Sequence, residues 1–262
     1  MSLSNLVVLA VLFFLTSVVG VVTGSNSLVT VPVMFQFGID EKVAVATNMF
    51  GLTFMAVGGT IPFVRQGSIE IRRLWPLLIL TVIGSALGAA LVGFITNQAI
   101  KLIVSIAMIV IVIFTFTRPK GNEKSVPSES HIEPIVEERR DVLRFSPLAL
   151  VATFLLAIYG GLYSGGYVTV LTATLVAFAG MTFSESIAAT KLINVFSSGI
   201  ATLVFMWQGL VDYGLGIILA VSMFAGAYVG AHYAARMNEL WLRRIFLTTV
   251  LILAGKMFVD LF

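Results

Sequence analysis

Residues 67–92 read GSIEIRRLWPLLILTVIGSALGAALV, and residues 209–234 read GLVDYGLGIILAVSMFAGAYVGAHYA. Both segments begin with glycine, carry an acidic residue three positions later, and close an apolar run on a Gly-x-x-x-Gly spacing. The matching positions, 142 residues apart, are Gly67 and Gly209, Glu70 and Asp212, Gly84 and Gly226, and Gly88 and Gly230. Upstream, shifted by one residue at most, Gly20, Gly24 and Thr47 match Gly161, Gly165 and Thr190. The chain is therefore read as two homologous halves.

The composition places most of the chain in lipid. Mean hydropathy is +1.03 and only 11% of residues are charged, against about 25% in an ordinary soluble domain. The net charge of +3 comes from basic residues in short loops between apolar runs, a pattern of membrane orientation that predicts no nucleic-acid partner. The chain has no cysteine and two isolated histidines, His131 and His232, so no metal or other cofactor is expected.

Eight apolar runs cover residues 3–37, 43–64, 74–95, 99–117, 146–179, 186–207, 214–235 and 241–261. Most have about 20 residues, the length that crosses a bilayer core. The first and fifth are longer, and small polar residues interrupt each near its middle, at 23–27 and 164–166. Interrupted segments at matching positions of two repeats indicate the binding site of a membrane transporter.

A charged segment separates the halves. Residues 117–145 hold 12 of the chain's 29 charged residues together with three prolines, which is typical of a solvated linker. We therefore divide the chain into a transmembrane repeat at 1–116, a linker at 117–145 and a second transmembrane repeat at 146–262.

The distribution of lysine and arginine predicts the topology. If all eight runs crossed once, the two faces would carry ten and five basic residues, leaving Lys191 aside. If the first and fifth runs each turn back, the division becomes twelve to three, which the positive-inside rule favours. The repeats are then inverted, the linker is cytoplasmic and both termini are extracytoplasmic. Whether each hairpin is re-entrant or two short spans stays open.

A helix break within a membrane leaves backbone groups unpaired, which is tolerated only inside protein or beside a polar cavity. Helices that restart after the breaks would aim their N–H groups and partially positive ends at such a cavity, which favours an anion. The candidate ligands are Gly24, Ser25, Asn26, Ser27 and Thr30 in the first half, and Ser164, Gly165, Gly166, Tyr167 and Thr169 in the second. Alternatively, these residues only break and cap helices.

A second polar feature lies early in the next run of each half, at Thr47-Asn48 and Thr190-Lys191. An ammonium within hydrocarbon costs about 2.5–3.5 kcal/mol on insertion scales, so Lys191 is expected to face a cavity or a partner. Asn194 follows one turn later on the same face. All five residues join the candidate site. The alternative is that Lys191 reaches the membrane surface along its own helix.

The two Gly-x-x-x-Gly spacings predict close helix packing, with lining of a substrate path as the alternative. The sequence contains no nucleotide-binding loop, catalytic triad or metalloprotease motif. An enzyme is therefore not expected, and transport would be driven by an ion gradient or by the gradient of the substrate.

Three stretches resemble the TauE/SafE sulfite exporter family: GVVTGSNSLVTVPVMFQFGIDEKVAVATN at 20–48, GGLYSGGYVTVLTATLVAFAGMTFSESIAATK at 160–191 and GLVDYGLGIILAVSMFAGAYVGA at 209–231. The resemblance covers both halves. Pro32, Ala44, Ala46 and Thr47 match the family pattern. It implies transport of small sulfur-containing anions such as sulfite, sulfoacetate or organosulfonates.

The chain departs from that pattern at the candidate site. The family's run of glycines is replaced at 25–27, and a proline expected near 171–173 is missing. The serine that follows each threonine is Asn48 in one half and Lys191 in the other. These departures leave another anion open as the substrate.

Together these features predict an all-α integral membrane protein of two inverted repeats, each with three transmembrane helices and a broken helical hairpin, in eight to ten membrane segments. We expect a secondary transporter in the plasma membrane that exports small sulfur-containing anions by alternating access around a midplane site. Coupling to protons or other ions and a homodimer are left open. The rival hypothesis is a membrane scaffold or assembly subunit that transports nothing.

Overall fold

The computed structural model describes residues 3–24, 26–65, 71–117 and 145–233. Over these residues the chain is all-helical, with nine helices and no strand. Several predicted features lie outside the described residues: Ser25, Gly67, Glu70, most of the linker and the last apolar run.

The helices of the first half are α1 (Leu3–Thr23), α2 (Ser27–Gln36), α3 (Glu41–Arg65), α4 (Ile71–Phe94) and α5 (Asn97–Thr117). Those of the second half are α6 (Pro147–Leu162), α7 (Tyr167–Phe178), α8 (Phe183–Trp207) and α9 (Tyr213–Tyr233). Five of the described helices, α1, α3, α4, α8 and α9, are long and apolar enough to cross a membrane, as expected of a multi-pass membrane protein.

Both long apolar runs are broken where the sequence predicts. Gly24 ends α1 at a φ of +73°, and Gly166 precedes α7 at a φ of +77°, backbone conformations that glycine adopts without a steric penalty. The helices after the breaks are short, with 10 residues in α2 and 12 in α7. At 1.5 Å per residue they measure about 15 and 18 Å, too short for a hydrocarbon core of about 30 Å.

The glycine pairs pack helices of opposite halves together. A Cβ at Gly88 would overlap the backbone of Ile158 on α6, and one at Gly230 would overlap the backbone of Val18 on α1. Accordingly, α4 packs along α6 and α9 packs along α1, while α3 and α8 lie together in the centre. The predicted role of both Gly-x-x-x-Gly spacings in helix packing is confirmed.

The outer helices leave apolar side chains exposed at helical spacing. On α5 these are Leu102, Ile106, Val110 and Ile113, one turn apart. Such a stripe is stable where the surrounding medium is lipid. The buried polar side chains lie instead between the helices, and many of them are near the two breaks.

Candidate functional site

The two helix breaks touch one another. The hydroxyl oxygens of Ser27 and Ser164 are 2.7 Å apart and hydrogen-bonded, and the Tyr163 hydroxyl donates to the Ser27 carbonyl at 3.0 Å. Gly24 faces Val168 so closely that a Cβ on it would lie 2.7 Å from the Val168 side chain. The two tips, residues 24–27 and 163–168, therefore form one polar junction inside the helix bundle.

A cavity of about 30 Å³ lies beside this junction, room for about two water molecules. Its polar lining consists of Asn26, Ser27, Ser164, Lys191 and Asn194. Its remaining lining consists of three glycines and five apolar residues: Gly20, Gly24, Gly59, Val21, Leu52, Met55, Ala56 and Val168. The N-terminal turns of α2 and α7 both contribute to the wall, through Ser27 and Val168. The positive ends of two helix dipoles thus lie beside one cavity.

Lys191 brings the formal charge to this cavity. It extends from α8 of the second half, is half-buried, and donates from Nζ to the carbonyl of Val21 in the last turn of α1. Carbonyls in the last turn of a helix lack the regular partners of interior ones, and side-chain donors commonly bind them. Among the described residues no carboxylate lies within ion-pair distance of Lys191. Within the described part of the chain, the ammonium therefore has a carbonyl partner and no counter-charge.

Two asparagine side chains complete the polar wall. Asn26 is 4% exposed, and its Nδ2 donates to Ser17 Oγ and to Met55 Sδ, both at 3.3 Å. Asn194 is 7% exposed. The Oδ1 atoms of both have no hydrogen-bond partner among the described residues. Buried carbonyl oxygens of this kind are normally satisfied, so among the described residues two side chains of the cavity lining each keep an acceptor without a donor.

Asn48 stabilises the junction through two hydrogen bonds. Its Nδ2 donates to Ser27 Oγ at 2.9 Å, and Thr30 Oγ1 donates to its Oδ1 at 2.6 Å. The amide therefore uses both ends to hold the start of α2. Asn48 and Thr30 are candidate residues that position Ser27 without lining the cavity.

The other predicted residues lie outside the cavity wall. Thr47 accepts from the backbone N–H of Asp212 at 3.0 Å, and Thr190 accepts from the Thr172 hydroxyl at 3.2 Å. Tyr167, Gly165 and Gly166 belong to the second tip and Thr169 directly follows it, but none of the four lines the cavity. The structure thus brings together Gly24, Asn26, Ser27, Ser164, Lys191 and Asn194 from the predicted set.

Sequence reasoning missed the contribution of α3. Leu52, Met55, Ala56 and Gly59 line the cavity with apolar or glycine surface. Their spacing is that of one helix face, one turn beyond Asn48. The sequence could have indicated these residues, because they lie on the same helix face as the candidate residue Asn48.

A bundle of membrane-spanning helices with broken helices around a charged internal cavity is the architecture of a membrane transporter. Comparison with known proteins agrees: the family model described as sulfite exporter TauE/SafE matches residues 9–257. The chain belongs to this family, and it is a member of a family of membrane transporters.

Similar proteins are all named as transporters. A "probable membrane transporter protein ORF9" of Sinorhizobium sp. is 24% identical over 94% of this chain and 90% of its own length. A "probable membrane transporter protein" of Haemophilus influenzae is 22% identical over 96% of this chain and 95% of its own. A "probable membrane transporter protein YdhB" of Bacillus subtilis is 23% identical over 93% of this chain and 96% of its own length. No solved structure matches the chain significantly.

Proposed function

We propose that the chain is a secondary transporter that moves small sulfur-containing anions, such as sulfite, sulfoacetate or organosulfonates, out across the plasma membrane. The observation that carries this proposal is the Lys191 ammonium at the tip cavity, without a carboxylate in reach among the described residues. An anion bound there would offset the cost of holding that charge inside the membrane.

The helix ends supply the rest of the attraction. The first turns of α2 and α7 border the cavity, and each places a partial positive charge and backbone donors near it. The hydroxyls of Ser27 and Ser164, already joined, could reorient towards oxygens of a bound sulfonate or sulfite. These groups suit a small oxyanion, because they can surround several oxygens at once.

The helix contacts support a mechanism in which the two halves move against one another. Helices α1 to α4 of the first half correspond in order to α6 to α9 of the second half. The contact of α1 with α9 then corresponds to that of α6 with α4, and the contact of α3 with α9 corresponds to that of α8 with α4. All four contacts are present. Together with the twelve-to-three division of basic residues, this pattern supports inverted repeats with a cytoplasmic linker and extracytoplasmic termini. Alternating access would then open the cavity to each face in turn, with the present small volume as a closed form.

Flux measured in proteoliposomes tests the proposal. The purified chain should take up radiolabelled sulfoacetate or sulfite saturably, and an excess of the unlabelled anion should compete. A panel of sulfite, sulfoacetate, taurine and acetate ranks the substrate class. If the folded wild-type protein neither moves nor binds any of these anions, the transporter proposal fails and the scaffold hypothesis gains.

A further inference from the structure

The two tips follow the same plan but carry different side chains over their glycines. In the first half, Asn26 lies over Gly20, where a Cβ would be 2.8 Å from the Asn26 Cβ. In the second half, Tyr167 lies over Gly160, where a Cβ would be 2.9 Å from the Tyr167 ring. Asn26 and Tyr167 are 141 residues apart, the offset that also relates Gly24 to Gly165, so they hold equivalent places at the starts of α2 and α7.

Both side chains point at the same part of the central helices. Asn26 reaches Met55 on α3, and the Tyr167 hydroxyl lies beside Ser197 on α8. Met55 and Ser197 are 142 residues apart, within one residue of the offset of 143 that relates Asn48 to Lys191 on the same two helices. The two side chains therefore contact corresponding levels of α3 and α8.

The size of the side chain decides what space is left. Beside Asn26 is the cavity that Lys191 lines, whereas Tyr167 is fully buried with its ring against Gly160. The Tyr167 hydroxyl comes near Thr81 and Ser197 without a hydrogen bond of ordinary geometry to either. A phenol ring therefore occupies the volume that the first half leaves open.

The two halves also differ in charge at the position of Lys191. Lys191 donates to Val21 just before the first tip, whereas the corresponding Asn48 is bonded to Ser27 and Thr30, both of the first half. Asn48 is neutral, and its amide is bonded at both ends. The counterpart of Lys191 therefore brings no positive charge to the second tip.

We infer that Tyr167 fills the symmetry-related second anion place, so that each chain binds one anion, at the first tip only. The inference rests on the proposed function for the identity of the anion. Its structural content is independent of flux: one tip admits a small anionic molecule and the other does not.

The cysteine-free sequence allows a direct test of access, because an introduced cysteine would be the sole thiol. Met55→Cys and Ser197→Cys form a matched pair, since both positions are at least 95% buried and lie at equivalent places. The probe is 2-sulfonatoethyl methanethiosulfonate, whose sulfenyl sulfur forms a disulfide with a thiolate and releases methanesulfinate. We expect Met55→Cys in proteoliposomes to react at least a hundredfold faster than Ser197→Cys, and sulfoacetate to slow its reaction.

A substitution at Tyr167 then tests the cause. In the Ser197→Cys protein, Tyr167→Asn should raise the reaction rate at least tenfold, whereas Tyr167→Phe, which keeps the ring, should leave it unchanged. Equal rates at the two cysteines, or no gain from Tyr167→Asn in a protein that keeps its melting temperature, would overturn the inference. If Tyr167→Asn does not fold, the comparison of Met55→Cys with Ser197→Cys, both with Tyr167 in place, decides.

The two proposals fail in different ways. Absence of anion flux with the asymmetric labelling pattern intact would remove the proposed function and leave the filled second place standing. Saturable anion flux with equal labelling at both tips would support the proposed function and overturn the filled second place.

Discussion

The two hairpin tips have similar backbones and packing but different side chains. Each ends a helix at a left-handed glycine or a glycine pair, restarts a short helix, and packs one glycine under a side chain of the next helix. One tip carries Asn26 and lies beside Lys191, and the other carries Tyr167, while the counterpart of Lys191 is the neutral Asn48. The comparison indicates that the two tips share their packing, whereas the proposed anion chemistry differs between them.

The largest expected effect concerns what the halves share. Gly88→Ala would push a methyl group into the backbone of Ile158, where neither helix can yield without separating, at a cost of about 3 kcal/mol. We expect loss of the monodisperse, folded protein in size-exclusion and melting measurements. Gly199→Ala is the matched control, because its nearest neighbour, a Thr53 methyl, would be 3.9 Å away. Equal melting of the two variants would contradict the packing role.

The next effect concerns the Lys191 ammonium, which lies beside the first tip. Lys191→Gln removes the ammonium but keeps a donor of similar reach, so the protein should fold. Loss of a charged hydrogen bond to the anion is worth about 1.5–3 kcal/mol, roughly a tenfold to hundredfold loss of sulfonate uptake. Lys101→Gln is the control, since Lys101 pairs with Glu41 at 2.8 Å, away from the cavity. Unchanged uptake in Lys191→Gln would remove this residue from the site.

A smaller effect distinguishes the two serines that join the tips. Ser27→Ala breaks the bond to Ser164 and also leaves the Asn48 amide without its acceptor, whereas Ser164→Ala breaks only the bond that they share. A buried donor left unsatisfied costs about 1–3 kcal/mol, and a typical hydrogen bond contributes about 1 kcal/mol. Ser27→Ala should therefore lower the melting temperature more. The opposite order would mean that Asn48 does not hold the first tip.

The smallest effect concerns the unpartnered oxygen of Asn194. A sulfonate with its own hydroxyl can donate to that oxygen, so 2-hydroxyethanesulfonate should compete for uptake better than ethanesulfonate, by up to about tenfold. Asn194→Leu should remove this preference while ethanesulfonate still competes. A preference that survives in Asn194→Leu would show that the hydroxyl is read elsewhere.

Much of the architecture was predictable because it depends on local residues. The breaks follow from small polar residues in runs too long for one span, and the Gly-x-x-x-Gly contacts follow from the absence of side chains. The meeting of Lys191 with Val21 was not predictable, because it joins residues 170 positions apart whose distance depends on how the halves pack.

The roles of individual polar residues were harder to predict than their neighbourhood. The sequence predicts Tyr167 as a hydroxyl donor of the site, yet its ring packs against Gly160. Thr47 reads as a ligand, yet it accepts from the Asp212 backbone. Met55 carries no polar group that would mark it as a site residue, yet it lines the cavity. In each case the direction of the side chain decides, and α3 is apolar on so many sides that hydropathy does not reveal that direction.

The position of a bound sulfonate tests the central claim most directly. A structure determined in lipid nanodiscs with saturating sulfoacetate should show one anion per chain, with its oxygens within hydrogen-bond distance of Lys191 Nζ and the start of α2. An anion beside Tyr167, or one at each tip, would contradict the account.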